Sequence, residues 1–316
     1  MLAFPHFTLS DFRFHLGLPD DVRLPAYRGF TLRGVFGRML KKTVCAIRTT
    51  PCQKCMLNSR CVYCYLFETR PVGTHPHAGK FTDHPRPYII NPEPGRERLL
   101  HAGDELSFRL TLVGRAGDYL PYIVYCFEEA GKQGIKNRIG RYAIRNVEML
   151  NDENQPAEVY RDGMLKNHNG PITFRDLSRD LSETRNLTIR FRTPLRIEVK
   201  GHLVHNPPPF AVLIESLLRR ASLLHHLHCG GDYLESFDDV LDQARRVTIT
   251  SARVRWQDME RYSSRQKTLM YQGGIVGSVR YEGDITPFLP ILRLGEFINV
   301  GASTTVGLGR YSLHHG

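Results

Sequence analysis

The chain has no run of about 18 apolar residues, the length a helix needs to cross a bilayer. The opening segment from Met1 to His6 lacks a basic stretch followed by an apolar one, so no secretory leader is readable. Both absences point to the cytoplasm, where seven cysteines are expected to be reduced or metal-bound rather than paired. Acidic residues are also in deficit: 43 Lys and Arg stand against 32 Asp and Glu, a formal charge of +11. Residues 1–66 are more lopsided, with ten cations against Asp11, Asp20 and Asp21. A four-thiolate metal site in that stretch would leave it basic. Such a balance favours a polyanionic partner, nucleic acid before a membrane surface. No helix-turn-helix with a dimerisation region is readable, which weighs against a DNA-binding regulator.

The 316 residues suggest two domains, and 41% hydrophobic with 24% charged residues is ordinary for a globular protein. The C-terminal half reads most clearly. From Leu187 to Lys200 apolar residues (Leu187, Ile189, Phe191, Leu195, Ile197, Val199) alternate with polar ones, which predicts a strand with one buried face. Its other face carries Arg190, Arg192, Arg196 and Lys200, a solvated face or a phosphate-binding one. Asn206-Pro207-Pro208-Pro209 introduces a helix with Phe210, Leu213, Leu217, Ala221 and Leu224 at helical spacing, stopped by Gly230-Gly231. Strand-like runs follow at Val247–Trp256 and Thr268–Tyr281, then a helix from Thr286 to Phe297 and a last strand from Arg310 to Leu313. The order is β-α-β-β-α-β, the split βαβ or ferredoxin-like unit. Between the last helix and strand, residues 301–310 hold Gly301, Gly307 and Gly309 around Ser303-Thr304-Thr305, with Arg310 at the end. Such a loop is either a plain turn before an edge strand or a backbone cradle for an anion.

The N-terminal half repeats the order. Phe12, Phe14 and Leu16 alternate with Arg13 and His15. A helix from Tyr27 to Val44 would put Leu32, Val35, Phe36, Met39 and Thr43 on one face and Arg33, Arg38 and Lys41 on the other. A short strand at Tyr88–Asn91, a longer one through Leu106–Leu112 and a helix at Tyr119–Ala130 precede a second glycine loop, Gly131–Tyr142. That loop also ends in Gly-Arg-Tyr before a strand, as residues 309–311 do, which suggests a duplication.

Cys52-x2-Cys55-x5-Cys61-x2-Cys64 has the paired spacing of a structural metal site. Zinc is the leading reading, an iron–sulfur cluster the lesser one, and four thiolates would leave no open position for metal catalysis. Cys45, Cys126 and Cys229 read as core residues. Of His225, His226 and His228, only the first and last share a helix face, which favours structure or RNA contact over metal ligation. His75, His77 and His84 fall in a Pro/Gly-rich stretch after the cysteines.

Tyr27-Arg28-Gly29-Phe30-Thr31-Leu32-Arg33-Gly34-Val35-Phe36-Gly37-Arg38, the 187–200 run, Arg219-Arg220, Arg261–Gln266 ahead of Gly273–Gly277, Phe288–Leu292 and the terminal glycine loop together resemble the CRISPR-associated repeat-processing endoribonucleases of the RAMP superfamily. The resemblance spans nearly the whole chain and is most specific over 187–313. It implies an α+β fold of two ferredoxin-like (RRM-related) βαββαβ domains in tandem, with a four-cysteine metal knuckle inserted after the first helix. The boundaries are 1–150 with the insertion at 45–66, a linker at 151–186, and 187–316. It implies CRISPR repeat RNA or crRNA as partner, other CRISPR effector-complex subunits as further candidates, and no membrane. Cleavage would be metal-independent: the ribose 2′-OH attacks the adjacent phosphate and leaves a 2′,3′-cyclic phosphate.

Family members often carry a histidine on or near the first helix, whereas no histidine lies between His15 and His75 here. Tyr27, Lys41 and His15 are then the catalytic candidates. The candidate RNA contacts are Arg33, Arg38, Arg190, Arg192, Arg261, Arg265, Lys267, Gly301, Ser303, Gly307, Gly309 and Arg310, and the metal ligands are Cys52, Cys55, Cys61 and Cys64. The missing histidine leaves a second expectation, a noncatalytic RAMP subunit that holds crRNA in an effector complex.

Overall fold

A computed structural model of the protein describes residues 4–68, 84–93, 98–135, 140–167, 170–234, 236–263 and 268–315. They form two compact units, one of Phe7–Ile172 with Leu223–Gly231, the other of Met1–His6, Thr173–Ser222 and Asp232–Gly316. Both are mixed α+β with antiparallel sheets. No helix is long and apolar enough to cross a membrane among the described residues.

In the first unit the chain runs β1 (Thr8–Gly17), α1 (Gly29–Val44), β2 (Tyr88–Pro92), β3 (Glu105–Val113), α2 (Leu120–Gln133), β4 (Ala143–Leu150) and β5 (Pro156–Arg161). The strands are ordered β2-β3-β1-β4-β5. Phe12, Phe14 and Leu16 of β1 face Leu110, Phe108 and Leu106 of β3, and all six are buried. Leu32, Val35, Phe36, Met39 and Leu40 of α1 join them, with Ile123, Val124 and Phe127 of α2. Phe36 and Phe127 stack at 5.7 Å between ring centroids, which ties the two helices together over one sheet face. Thr43, expected on the buried face of α1, is exposed, because Met39 and Leu40 complete that face one turn earlier. The helix begins at Gly29, where the Arg28 carbonyl accepts the Leu32 N–H at 2.9 Å, so Tyr27 lies outside it. The polar stretch from 151 read as linker includes β5, which pairs with β4.

The second unit runs β6 (Asn186–Leu195), α3 (Phe210–Cys229, of which the part up to Ser222 belongs to this unit), β7 (Thr248–Gln257), β8 (Gly274–Glu282), α4 (Leu289–Ile298) and β9 (Tyr311–His315), with strand order β7-β8-β6-β9. The expected strand to Lys200 stops at Leu195. Alternation breaks where Thr193, Pro194 and Leu195 are all buried, and the register against β8 shifts between Phe191 and Leu195. Proline has no N–H for the ladder, so the pairing slips there. Beyond it Glu198–Val199 pairs with His202–Leu203 across a turn in which Lys200 and Gly201 have φ of 50° and 81°. The expected run Thr268–Tyr281 is likewise two strands: Thr268–Tyr271 pairs with Glu260–Ser263, and β8 begins at Gly274.

Asp11 is fully buried on the sheet face opposite the helices. Its carboxylate accepts from Arg109 Nε at 2.8 Å, from Arg109 Nη2, and from Thr111 Oγ1 at 2.8 Å. Removing one partner of a buried ion pair leaves the other desolvated without compensation. Asp11→Ala is expected to lose on the order of 3 kcal/mol of stability, read as a lower urea midpoint at unchanged slope. A shift equivalent to under about 1 kcal/mol would show that the pair contributes little net stability.

Candidate nucleic-acid interface

The register of the second sheet arranges a basic face. Arg190 on β6 sits opposite Ser278 on β8 and Ser312 on β9, and Ser278 sits opposite Arg253 on β7. The next row holds Ser251, Arg280, Thr188 and His314. Arg192 follows and donates from Nε to Ser312 Oγ at 3.0 Å. Arg190, Arg192, Arg253 and Arg280 are exposed, with Glu282 at the end of the face. Among the described residues none of the four arginines is ion-paired with a carboxylate. Four guanidinium forks over one surface, spaced by hydroxyls, form a lattice suited to phosphates. Arg253 and Arg280 are not among the sequence candidates: each lies in a strand-like run, but only the register brings them onto one face with Arg190. Arg196 and Lys200 leave the face: Arg196 is half-buried and its Nη1 donates to the Gly273 carbonyl, and Lys200 sits in the turn.

The glycine loop folds onto the end of β6. Gly309 N–H donates to Pro194 O at 3.0 Å, Ala302 N–H to Arg196 O at 2.9 Å, and Arg310 N–H to Thr193 Oγ1 at 2.9 Å. Thr193 Oγ1 in turn donates to Gly307 O at 2.7 Å. Gly301, Ser303, Gly307 and Gly309 all have positive φ, between 61° and 86°. A Cβ on Gly309 would collide with the Val300 carbonyl, and one on Gly301 with the Arg196 carbonyl. Close backbone packing therefore requires glycine at 301 and 309, and Gly307 and Gly309 are buried. Ser303 accepts from Gln272 Nε2, and Arg310 is half-buried.

The first sheet's corresponding face is matched internally. His15 lies 2.7 Å from Glu105 through Nδ1 and 3.1 Å from Glu148 through Nε2. Arg13 is 3.6 Å from Glu148, Arg145 is 3.8 Å from Glu105, and Asp11 holds Arg109. The cations of α1 are dispersed. Arg33 is half-buried with its guanidinium 5.3 Å from the Phe67 ring centroid, Arg38 is exposed and reaches the Ile135 carbonyl at 3.4 Å, and exposed Lys41 lies 5.4 Å over the Tyr63 ring. Tyr27 is buried, edge-on to Phe30 at 5.7 Å.

The three catalytic candidates do not converge. Tyr27 precedes α1 and Lys41 lies in its last turn, so the helix rise alone separates them by roughly 18 Å. His15 points to the sheet face opposite the one α1 covers. The sequence trio therefore cannot surround one phosphate together. Among the remaining sequence candidates, Arg261 lies in the Glu260–Ser263 strand, whereas Arg265, Lys267, His75 and His77 lie outside the described residues. Of the α3 histidines, buried His228 meets Tyr65 Oη at 3.3 Å and Pro85 O at 2.9 Å, and half-buried His226 meets Gly231 O at 3.1 Å.

Cys52, Cys55, Cys61 and Cys64 are half-buried free thiols on successive tight turns, such as Cys55 N–H to Cys52 O at 3.3 Å and Tyr65 N–H to Cys61 O at 2.9 Å. Burial, then the neighbouring Cys61 and Cys52, push the Cys64 thiol up to about 12. Four neighbouring sulfurs are a donor set suited to a divalent cation, which binds them as thiolates. Among the described residues no three His, Cys, Asp or Glu side chains close into a metal-holding group. Cys126 is buried, as expected of a core residue, and Cys45 and Cys229 are half-buried.

An α+β chain with a basic sheet face and a backbone-locked glycine loop has the makings of an RNA-binding protein. Residues 7–171 match a family described as an N-terminal domain (AF_1859_N), and residues 189–311 match the CRISPR-associated endoribonuclease Cas6. The first match spans just over half of the chain, which therefore belongs to the AF_1859_N family, and the Cas6 match is carried by the C-terminal segment. An uncharacterized protein of Archaeoglobus fulgidus is 26% identical over 300 residues, 92% of each chain. A Cas6 product complex is similar in fold with TM-score 0.58 and 17% identity, over 97% of this chain and 100% of that one. Thermus thermophilus Cas6 gives 0.54 and 16%, over 98% and 99%.

Gly309→Ala adds a Cβ against Val300 at a φ of 71°, and is expected to cost about 2 kcal/mol or more of stability. Urea unfolding checks this, and a neutral variant would show that the loop can shift to admit a side chain.

Proposed function

We propose that this protein is an endoribonuclease that binds CRISPR repeat RNA and cuts precursor crRNA. The observation that carries the reading is the arginine face of β6–β9, in a segment that matches the Cas6 family over residues 189–311. Strand orders β2-β3-β1-β4 and β7-β8-β6-β9, each from a β-α-β-β-α-β segment, support two ferredoxin-like domains in tandem. They fit domains at 1–150 and 187–316, joined through 151–186. The protein would act in the cytoplasm and hand its product to other CRISPR effector subunits.

In the proposed chemistry a base removes the 2′-OH proton and the 2′-oxygen attacks the adjacent phosphorus. The P–O5′ bond breaks as the 5′-oxygen takes a proton, which leaves a 2′,3′-cyclic phosphate and a 5′-OH. None of these steps requires a metal ion. Cations stabilise the crowded phosphorane. Lys41, exposed beside Lys42 in the last turn of α1, is the proposed electrostatic participant from that helix. Tyr27 is buried and His15 is engaged by two carboxylates, so each has less freedom to meet a ribose. Arg33 and Arg38 are proposed as phosphate contacts.

Repeat RNA incubated with the protein in excess EDTA is expected to give one discrete product, and RNA with 2′-deoxy at the scissile ribose none. Lys41→Ala should slow cleavage by about a hundredfold. Tight binding without cleavage would move the protein to the noncatalytic crRNA-binding role.

The four cysteines are proposed to hold one structural zinc ion as thiolates, fixing the segment after α1 without entering the reaction. Purified protein is expected to carry one zinc per chain by elemental analysis. Cys55→Ser should release it and lower the melting temperature, whereas unchanged metal content would overturn the four-cysteine site.

A further inference from the structure

Trp256 is the only tryptophan in the chain. It lies near the end of β7, where its Nε1 donates to Asp258 Oδ1 at 2.9 Å. The His205 ring stacks on it with centroids 4.2 Å apart and planes 21° from parallel. Trp256 is half-buried and His205 exposed, so the stack is anchored from one side and presents its histidine plate outward.

The anchoring is built into the backbone. A side chain at Gly273 would collide with Trp256 Nε1 and Asp258 Oδ1, so glycine lets the backbone just before β8 approach the indole. The Gly273 carbonyl accepts from Arg196, and the Arg196 carbonyl accepts from Ala302 in the glycine loop. The adjacent Gln272 donates to Ser303 of the same loop. One continuous set of contacts thus joins the aromatic pair to the glycine loop. Arg255, one residue before Trp256, is exposed and bonds Gln257 at 2.9 Å, on the strand face opposite the indole.

We infer that His205 and Trp256 form a stacking platform for one unpaired nucleobase of the bound RNA. The inference rests on the RNA-binding function proposed above and deepens it, because the sheet arginines address phosphate while this pair addresses a base. Every base has a π-face, and a fixed aromatic plate binds it with little loss of side-chain freedom. The platform selects for single-stranded over fully paired RNA at that nucleotide, since a paired base is already stacked within its helix.

The lone tryptophan makes the test direct. Repeat RNA is titrated into the full chain while Trp256 emission and the anisotropy of end-labelled RNA are followed together. Emission should be quenched with the same midpoint as the anisotropy change, and an abasic nucleotide moved along the RNA should remove the quench at one position. His205→Ala should weaken binding about tenfold with an unchanged salt slope, because stacking releases no counterions. Arg190→Ala should instead reduce the slope by about one. His205→Phe, which keeps an aromatic plate, should recover most of the affinity and controls for misfolding. RNA that binds by anisotropy while Trp256 emission stays constant overturns the platform and leaves the RNA-binding function standing. No anisotropy change at any RNA concentration overturns both.

Discussion

The register of β6 between β8 and β9 governs the rest of the second unit. It aligns Leu187, Ile189 and Phe191 with Tyr281 and Val279 on one side and with Tyr311 on the other, all buried. Each large side chain removed from water in this way contributes roughly 1.5–3 kcal/mol. A slip of one residue would drive Arg190 and Arg192 into that layer and turn the apolar set to solvent, so alternative pairings are strongly disfavoured. The two tyrosine hydroxyls in the layer reach carbonyls, Tyr281 to Pro208 at 2.8 Å and Tyr311 to Leu292 at 2.7 Å. A polar group buried with its hydrogen bond made costs little, and these two pin the starts of α3 and α4 in place.

The same architecture carries opposite electrostatics in the two units. On β1 and its neighbours each outward cation meets a carboxylate: Arg109 with Asp11, Arg13 with Glu148, His15 with Glu105 and Glu148. On β6 and its neighbours the cross-strand partners of the arginines are serines and a threonine. A guanidinium opposite a hydroxyl keeps its charge uncompensated, and neighbouring like charges raise the local potential together. One sheet thus matches its outward cations with carboxylates, while the other leaves its arginines opposite hydroxyls.

The elements with local causes were legible from the sequence. The alternation of Phe12, Phe14 and Leu16 marks β1, and the prolines before Phe210 with Gly230 after Cys229 bracket α3. The end of β6 was not legible. Alternation in the letters continues past Leu195 only because the following hairpin happens to keep the same parity, and one-dimensional periodicity cannot register the bulge at Thr193-Pro194. The glycine loop was visible, but its cause is the carbonyls of Arg196 and Val300, the first of them far away in sequence. His15 was read as outward-facing, which it is, yet its partners lie 90 and 133 residues away and convert an apparent free base into a clamped one. The matched arginines Arg253 and Arg280 became a set only once the register joined their strands.

One consequence follows from the position of β7. It forms an edge of its sheet and is exposed along most of its ten residues. A bare edge offers unpaired backbone groups to the edge of another molecule and is a route to open-ended association. Two copies of this chain meeting edge to edge would bring Arg253 and Arg255 of each against those of the other, with no acidic residue on β7 to offset them. Like charges facing one another across that seam disfavour such edge-to-edge pairing.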